Sequence, residues 1–199
     1  MNPADSVFFI LASASPRRRE LLQRAGYRFE VIPSQVDESL IEISGLSPEE
    51  CVNKLAFAKA KDVARGNPEA YVLGADTVVD YQGQIIGKPT DAVDAERITR
   101  ILFAGPHKVT TGVALICLEQ NRQVVFSDTT IVYPAQLSEQ QITEHIQSGN
   151  WRGKAGAYGI QETGDTFVDY IDGSFTNVMG LPMERIAELL DSLKSEKSD

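Results

Sequence analysis

The stretch VFFILASASPRRRELL, residues 7–22, decides the fold class. It begins with an apolar run, VFFILA, which predicts a short buried strand. Small residues follow as a turn, and Ser15 predicts a helix N-cap with Pro16 at the first helical position. Gly26 is expected to end that helix. The order of strand, small-residue turn and helix indicates the start of an α/β domain.

The remainder of the chain continues this alternation, but some strands follow one another directly. Further strands are predicted at residues 29–32, 71–79, 85–86, 109–118, 124–133 and 166–171. Further helices are predicted at residues 47–64, 94–102 and 138–149 and from Pro182 onward. Because strand pairs occur without a helix between them, a mixed sheet is favoured over a purely parallel one. We expect one domain over residues 1–191 and a flexible tail over residues 192–199.

The composition excludes several classes of protein. The chain has 199 residues with 19 Lys plus Arg and 28 Asp plus Glu, a formal net charge of −9. A protein this acidic does not bind nucleic acid or an anionic membrane by bulk charge, so any bound phosphate needs a local group of cations. Cys51 and Cys117 have neither disulfide nor metal spacing, and no apolar run reaches the roughly 20 residues of a membrane span. We therefore expect a soluble cytoplasmic protein with reduced thiols.

Three consecutive arginines stand in the first turn of the first predicted helix. A helix N-terminus presents unpaired N–H groups and the positive end of a dipole, which favours a bound anion. Arg17, Arg18 and Arg19 oppose that dipole unless an anion lies there. Two interpretations stay open at this point, a phosphate site or three solvated arginines on an exposed face.

Lys59 and Asp76 interrupt apolar patterns. Lys59 falls within the apolar stripe of its predicted helix, so its ammonium either extends past its neighbours to water or reaches an anion. Asp76 interrupts the apolar run VLGADTVV, where an unpaired buried carboxylate would cost several kcal/mol. Asp76 must therefore pair, bind a cation or lie where the strand reaches a cleft.

These residue types indicate one chemistry if they converge. Arg17, Lys59 and Lys88 could neutralise phosphate oxygens, while Glu38 and Asp76 could hold a hard divalent cation. A carboxylate beside such an ion can orient or deprotonate a water, which indicates metal-assisted hydrolysis of a phosphoanhydride.

The two histidines offer no pattern for covalent hydrolysis. His107 has no evident partner, and His145 is expected on a helix surface. Without a Ser-His-Asp or Cys-His arrangement, a covalent mechanism has little support.

The chain resembles the Maf family of nucleoside triphosphate pyrophosphatases, within the inosine-triphosphatase-like superfamily. The resemblance covers about residues 8–190, and five segments in order carry it: LASASPRR at 11–18, GADTVV at 74–79, GKP at 87–89, KAGAYGIQ at 154–161 and GLP at 180–182. The family resemblance implies an elongated twisted sheet flanked by helices, in two lobes with an active-site cleft between them. It also implies cleavage between the α and β phosphates, which yields the monophosphate and pyrophosphate, and a homodimer.

The resemblance assigns roles to single residues. It implies that Asp76 is the proton acceptor and that Glu38, Lys59 and Lys88 belong to the active site. The divalent cation that the carboxylates Glu38 and Asp76 could hold is expected to be Mg²⁺ first, with Mn²⁺ or Co²⁺ as alternatives. Substrate-binding roles fall on six positions, which are Ser13, Arg17, Lys59, Thr77, Lys88 and Gln161.

The substrate branch follows from three of those positions. Arg17, Thr77 and Gln161 match the branch that acts on dTTP and UTP, including modified pyrimidine nucleotides, rather than the branch that acts on 7-methyl-GTP. The segment GNWRG at 149–153 departs from the family pattern, and stacking of Trp151 and Arg152 near a ligand could alter base preference. Two alternatives remain: a purine or modified-purine triphosphate pyrophosphatase, and a nucleotide-binding regulator of cell division.

Overall fold

The computed structural model describes residues 7–163 and 167–195. Its strands are β1 Phe9–Leu11, β2 Phe29–Val31, β3 Tyr71–Tyr81, β4 Gln84–Ile86, β5 His107–Cys117, β6 Arg122–Pro134 and β7 Val168–Asp172. Its α-helices are α1 Pro16–Arg24, α2 Pro48–Gly66, α3 Ala92–Leu102, α4 Glu139–Ser148, α5 Ile160–Thr163, α6 Phe175–Met179 and α7 Met183–Ser195. Within the described residues, none of these helices combines the length and apolar character that a membrane crossing requires.

The opening strand, turn and helix form as predicted. The Ser15 side chain accepts a hydrogen bond from the Arg18 N–H, which satisfies one of the free donors at the start of α1. Pro16 occupies the first turn, where its missing N–H removes no helical bond. Gly26 takes φ +77° just beyond the helix, a conformation that favours glycine.

The sheet is mixed, which confirms the sequence prediction. Its strand order is β2-β1-β3-β5-β6-β7, and β4 pairs with β3. Strand β1 runs parallel to both β2 and β3, whereas β3–β4 and β6–β7 are antiparallel. The hairpin β3–β4 and the late strands therefore add antiparallel pairs to a parallel centre, and helices flank the sheet.

Helix α2 packs closely against β3 and β5 because a glycine on each strand leaves room for its backbone. Ser47 and Glu50 cap α2 reciprocally, with bonds of 2.9 Å and 3.2 Å. A Cβ at Gly74 would lie 2.4 Å from the Ala56 carbonyl oxygen, and one at Gly112 would lie 2.5 Å from the Val52 carbonyl oxygen. Small apolar residues line this contact and form a core cluster, which includes Ile10, Ala56, Ala60, Val72, Ala114 and Ile116.

The chain divides into two compact units. The first contains the described parts of Met1–Asp76, Thr111–Asp128 and Gly180–Asp199, and the second contains the described parts of Thr77–Thr110 and Thr129–Met179. Helix α7 runs to Ser195 and buries Leu193, and the predicted flexible tail over residues 192–199 stays a prediction. The rest of the predicted tail, residues 196–199, lies outside the described residues. The predicted cleft between lobes stays a prediction.

The second unit has an aromatic core that the sequence did not predict. Tyr158 and Phe167 each lie 5.4 Å from Phe103 between ring centroids, and His145 lies 5.0 Å from Phe167. The expectation that His145 is on a helix surface is wrong. The residue is buried, and its Nε2 hydrogen-bonds the Ala157 carbonyl oxygen at 2.8 Å.

The short elements were also missed or shifted. Helices α5 and α6 and the 3₁₀ turns at Glu38–Leu40 and Ala155–Ala157 were not predicted. Strand β7 confirms the strand expected at 166–171, although Thr166 lies outside the described residues.

Candidate active site

One lysine holds two carboxylates within the first unit. The Lys59 ammonium lies 2.6 Å from the Asp76 carboxylate and 2.8 Å from the Glu38 carboxylate. Its side chain is 14% exposed and that of Asp76 is 12% exposed, whereas the Glu38 side chain is 48% exposed. Lys59 therefore reaches anions rather than water, and Asp76 is paired, as two of the open interpretations predicted.

Three different elements supply this group. Asp76 lies on β3, Lys59 lies on α2, and Glu38 begins the 3₁₀ turn that follows β2. Asp37 caps that turn, since its carboxylate accepts bonds from the Ser39 N–H at 3.0 Å and the Ser39 hydroxyl at 2.6 Å. These bonds lower the pKa of Asp37, which is fully exposed. The cap fixes the backbone at Glu38, while the Glu38 side chain stays accessible to a ligand.

Arg18 is a site residue that the sequence analysis considered only as one of three consecutive arginines. Its guanidinium donates to the Gly180 carbonyl at 2.9 Å, to the Ala75 carbonyl at 2.8 Å and to the Ser13 hydroxyl at 3.1 Å. Burial lowers the pKa of Arg18, and the charges of Asp76 and Glu38 partly oppose that effect. An arginine nevertheless keeps its charge in a protein. Arg18 therefore places a fixed positive charge at the carbonyl of Ala75, the residue before Asp76.

A sequence signal for Arg18 existed. Arg18 stands three and four residues before Leu21 and Leu22, and these three are the buried residues of α1. Arg19 is exposed and Arg17 is half-buried, so the three arginines have different environments. Neither open interpretation of the arginine turn holds for Arg18, which is buried in protein contacts.

Ser13 and Arg17 lie at the same turn. The Ser13 hydroxyl oxygen accepts from Arg18 and from the Ser15 N–H at 3.3 Å. The positive charge of Arg17 contributes to lowering the pKa of Arg18, after the effects of burial and of Asp76. The first unit thus brings together five predicted site residues around α1, α2 and β3, which are Ser13, Arg17, Glu38, Lys59 and Asp76.

The other three predicted site residues belong to the second unit. Thr77 is half-buried on β3, Lys88 is exposed between β4 and α3, and Gln161 is half-buried in α5. Their convergence with the carboxylates stays a prediction.

The second unit does bring two of the motif segments together. The Gly156 N–H donates to the Gly87 carbonyl at 3.2 Å, which joins the KAGAYGIQ and GKP segments. Gly156 has φ +74°, and a Cβ there would lie 2.9 Å from a Leu102 methyl carbon and 3.0 Å from a Val79 methyl carbon. A side chain at Gly156 would therefore clash with Leu102 and Val79 at the point where the motif bonds Gly87.

Trp151 and Arg152 form an internal contact in the second unit. The Trp151 ring is buried and its N–H donates to the Ile146 carbonyl at 3.0 Å. The Arg152 guanidinium lies 4.9 Å from the Trp151 ring centroid. Packing within the unit accounts for the indole, so its presence gives no reason to alter the predicted base preference.

The carboxylates suit a hard cation. Among the described residues no group of three or more His, Cys, Asp or Glu side chains could hold a metal. Glu38 and Asp76 instead form a two-carboxylate set whose convergence is shown by their shared positive partner, the Lys59 ammonium. Mg²⁺ keeps several waters and takes one or two carboxylates together with substrate phosphates, so this oxygen donor set fits it.

Cys51 lies near the carboxylates but is not a nucleophile. Burial raises the pKa of its thiol, and the negative charges of Asp76 and Glu38 raise it further. A thiol kept protonated in this way is unreactive, which agrees with a mechanism that uses no covalent intermediate.

Comparisons with known proteins place the chain in a family. Residues 8–193 match the family described as Maf-like protein. A dTTP/UTP pyrophosphatase of Geobacillus sp. (strain WCH70) is 46% identical over 88% of this chain and 92% of that protein. A dTTP/UTP pyrophosphatase of Geotalea uraniireducens (strain Rf4) is 45% identical over 93% of each chain.

A more distant relative extends further along the chain. A dTTP/UTP pyrophosphatase of Ruminiclostridium cellulolyticum is 38% identical over 94% of this chain and 96% of that protein. Among solved structures, the Staphylococcus aureus Ham1 protein is similar with a TM-score of 0.42 and 13% identity, over 67% of this chain and 88% of that one. The family match and these relatives span nearly the whole chain, and the protein belongs to the Maf family.

Proposed function

We propose that this protein hydrolyses dTTP and UTP to the monophosphate and pyrophosphate, with a divalent cation, and removes non-canonical or modified nucleotides. The relatives' name, dTTP/UTP pyrophosphatase, supports the reaction and the substrate class. The observation that carries the proposal is the Lys59 ammonium shared between Asp76 and Glu38. A cation and two carboxylates held within bonding distance are the groups that phosphoanhydride hydrolysis needs.

The chain's own residues divide the work of the reaction. Asp76 accepts a proton from the attacking water as the water oxygen bonds to phosphorus and the bridging P–O bond breaks. Pyrophosphate leaves, and the phosphorus that received the water oxygen stays with the nucleoside. Lys59, Arg17 and Lys88 neutralise charge on the phosphate oxygens, while Arg18 keeps the backbone before Asp76 in place.

Glu38 and Asp76 would hold the divalent cation, for which Mg²⁺ is the first candidate and Mn²⁺ and Co²⁺ are alternatives. When bound, such an ion supplies Lewis-acid stabilisation of charge on the phosphate oxygens. Lys59 keeps both carboxylates in one place, and the exposed Glu38 side chain can turn toward a ligand.

Arg17, Thr77 and Gln161 indicate the dTTP/UTP branch, and Thr77 and Gln161 are the two that would hydrogen-bond the pyrimidine edge. Polar groups that hydrogen-bond a base edge discriminate more sharply than apolar shape does. Gln161→Ala should reduce the ratio of kcat/KM for dTTP over CTP, while Gln140→Ala on the surface of α4 should leave it unchanged. An equal loss of rate on every nucleotide would make Gln161 a structural residue.

The proposal is tested by pyrophosphate release from a panel of nucleoside triphosphates with Mg²⁺, repeated after chelation. Metal-dependent release from dTTP and UTP with little from ATP or GTP is the expected result. Release chiefly from purine nucleotides would support the purine alternative and overturn the specificity residues. Folded protein that cleaves neither these nor modified nucleotides would favour the cell-division regulator. A cytoplasmic location and a homodimer stay predictions, and light scattering on the purified protein tests the second.

A further inference from the structure

A single carboxylate on α2 fixes the backbone that leads to Glu38. One Asp62 oxygen, Oδ2, accepts hydrogen bonds from the Gln35 N–H and the Ser34 hydroxyl, both at 2.9 Å. The Ser34 oxygen in turn accepts a bond from the Val36 N–H at 3.2 Å. Three successive residues of the segment after β2 are therefore tied, directly or through Ser34, to one atom of α2.

The same helix also holds the Glu38 side chain. Lys59 stands three residues before Asp62 on α2, so the two side chains leave the helix less than one turn apart. Lys59 bonds the Glu38 carboxylate at 2.8 Å, and Asp62 bonds the backbone three residues before Glu38. Helix α2 thus attaches to this segment at two points, one on each side of the Asp37 cap.

The Glu38 attachment by itself is weak. The Glu38 side chain is half exposed, and an ion pair of that exposure contributes little to stability. A carboxylate that must meet a cation at a fixed place therefore needs its backbone held by other contacts. Among the described residues Asp62 has no ion-pair partner within 4.0 Å, and its carboxylate accepts the two hydrogen bonds from the segment.

We propose that Asp62 is a positioning residue that holds Glu38 beside Lys59 and thereby sets the affinity of the site for its divalent cation. This inference rests on the proposed function, because it takes Glu38 to be a metal ligand. What Asp62 supplies is an acceptor oxygen rather than a charge. Asp62→Asn therefore keeps the attachment, and Asp62→Leu removes it.

Hydrogen–deuterium exchange tests the attachment without any metal. In Asp62→Leu, residues 35–40 should exchange about tenfold faster, as expected for loss of the two hydrogen bonds that the Asp62 oxygen accepts. Asp62→Asn should exchange like the wild type, and the amides of α2 should be unchanged in both variants. Unchanged exchange of residues 35–40 in Asp62→Leu would overturn the proposal, whether or not the protein is an active pyrophosphatase.

Calorimetric binding of Mn²⁺ alone tests the consequence for the metal. The affinity should fall about tenfold or more in Asp62→Leu and stay within about twofold of the wild type in Asp62→Asn. In a Glu38→Gln background, Asp62→Leu should cause no further loss, because its effect passes through Glu38. An equal Mn²⁺ affinity in Asp62→Leu and the wild type would overturn this part. Faster exchange and weaker Mn²⁺ binding in a protein that releases no pyrophosphate would instead reject the proposed function alone.

Discussion

Gly74 leaves no room for a side chain between β3 and α2. A Cβ there would lie 2.4 Å from the Ala56 carbonyl oxygen and 2.7 Å from the Ala60 nitrogen. Ordinary Cβ contacts begin near 3.4 Å, so Gly74→Ala requires strand and helix to separate by about 1 Å. Overpacking of this kind costs about 1–3 kcal/mol, and we expect about 3 kcal/mol because the obstructing atoms belong to the backbone.

The same shift should damage the active site. Asp76 follows Gly74 by two residues on β3, and its 2.6 Å bond to Lys59 crosses from the strand to α2. A displacement of about 1 Å at reacting groups can reduce the rate about 100-fold, so we expect kcat to fall in that range.

Urea denaturation and pyrophosphate release from dTTP measure the two effects together. Gly66→Ala on α2 is the matched control, because nothing lies within 4 Å of its added carbon and alanine favours a helix. The control should be as stable and as active as the wild type. A free energy of unfolding for Gly74→Ala within about 0.5 kcal/mol of the wild type would refute the close contact on which this reasoning rests.

Two further predictions concern charged and titratable groups. Lys59→Met should abolish pyrophosphate release because the Asp76 and Glu38 carboxylates lose their shared positive partner. Lys61→Met on the same helix is the control and should stay active. Equal activity in the two variants would show that Lys59 is not part of the active site. Burial lowers the pKa of His107 to about 4, so the unfolded chain binds more protons than the folded chain between about pH 4 and 6.5. The free energy of unfolding should therefore fall by up to about 1.4 kcal/mol per pH unit as the pH drops below 6.5. In His107→Gln this pH dependence should be weaker. An equal pH dependence in the variant and the wild type would contradict a neutral buried His107 bonded to Tyr158.

Much of the fold could be predicted because its signals are local. Ser15 with Pro16, and Ser47 with Glu50, satisfy free N–H groups at the helix starts through neighbours in sequence. The short helix α6, by contrast, is held by residues that are distant in sequence. Its Asn177 amide donates to the Val109 carbonyl and the Thr130 hydroxyl, both at 3.0 Å and both distant in sequence. An element that is fixed by contacts with residues distant in sequence has no local sequence pattern that predicts it.

The site residues likewise differ in whether local sequence could predict them. Lys59 could be recognised because a lysine within an apolar stripe needs an anion. Glu38 and Asp76 were also candidates, but only the folded chain shows that both carboxylates bond Lys59. Arg18 was missed as an individual because its acceptors, Ala75 and Gly180, lie 57 and 162 residues away. His145 was misplaced because an aromatic neighbour and a carbonyl bury it, and neither is adjacent in sequence.

The central claim is that Asp76 accepts the proton of the attacking water. Pyrophosphate release from dTTP by Asp76→Asn, compared with the wild type and with Asp80→Asn on the same strand, tests it most directly. The asparagine keeps the shape of the side chain and an acceptor for Lys59 but cannot take the proton at neutral pH. We predict that Asp76→Asn folds but loses turnover by at least about 100-fold, whereas the control Asp80→Asn stays active. Turnover by folded Asp76→Asn at the wild-type rate would contradict the account.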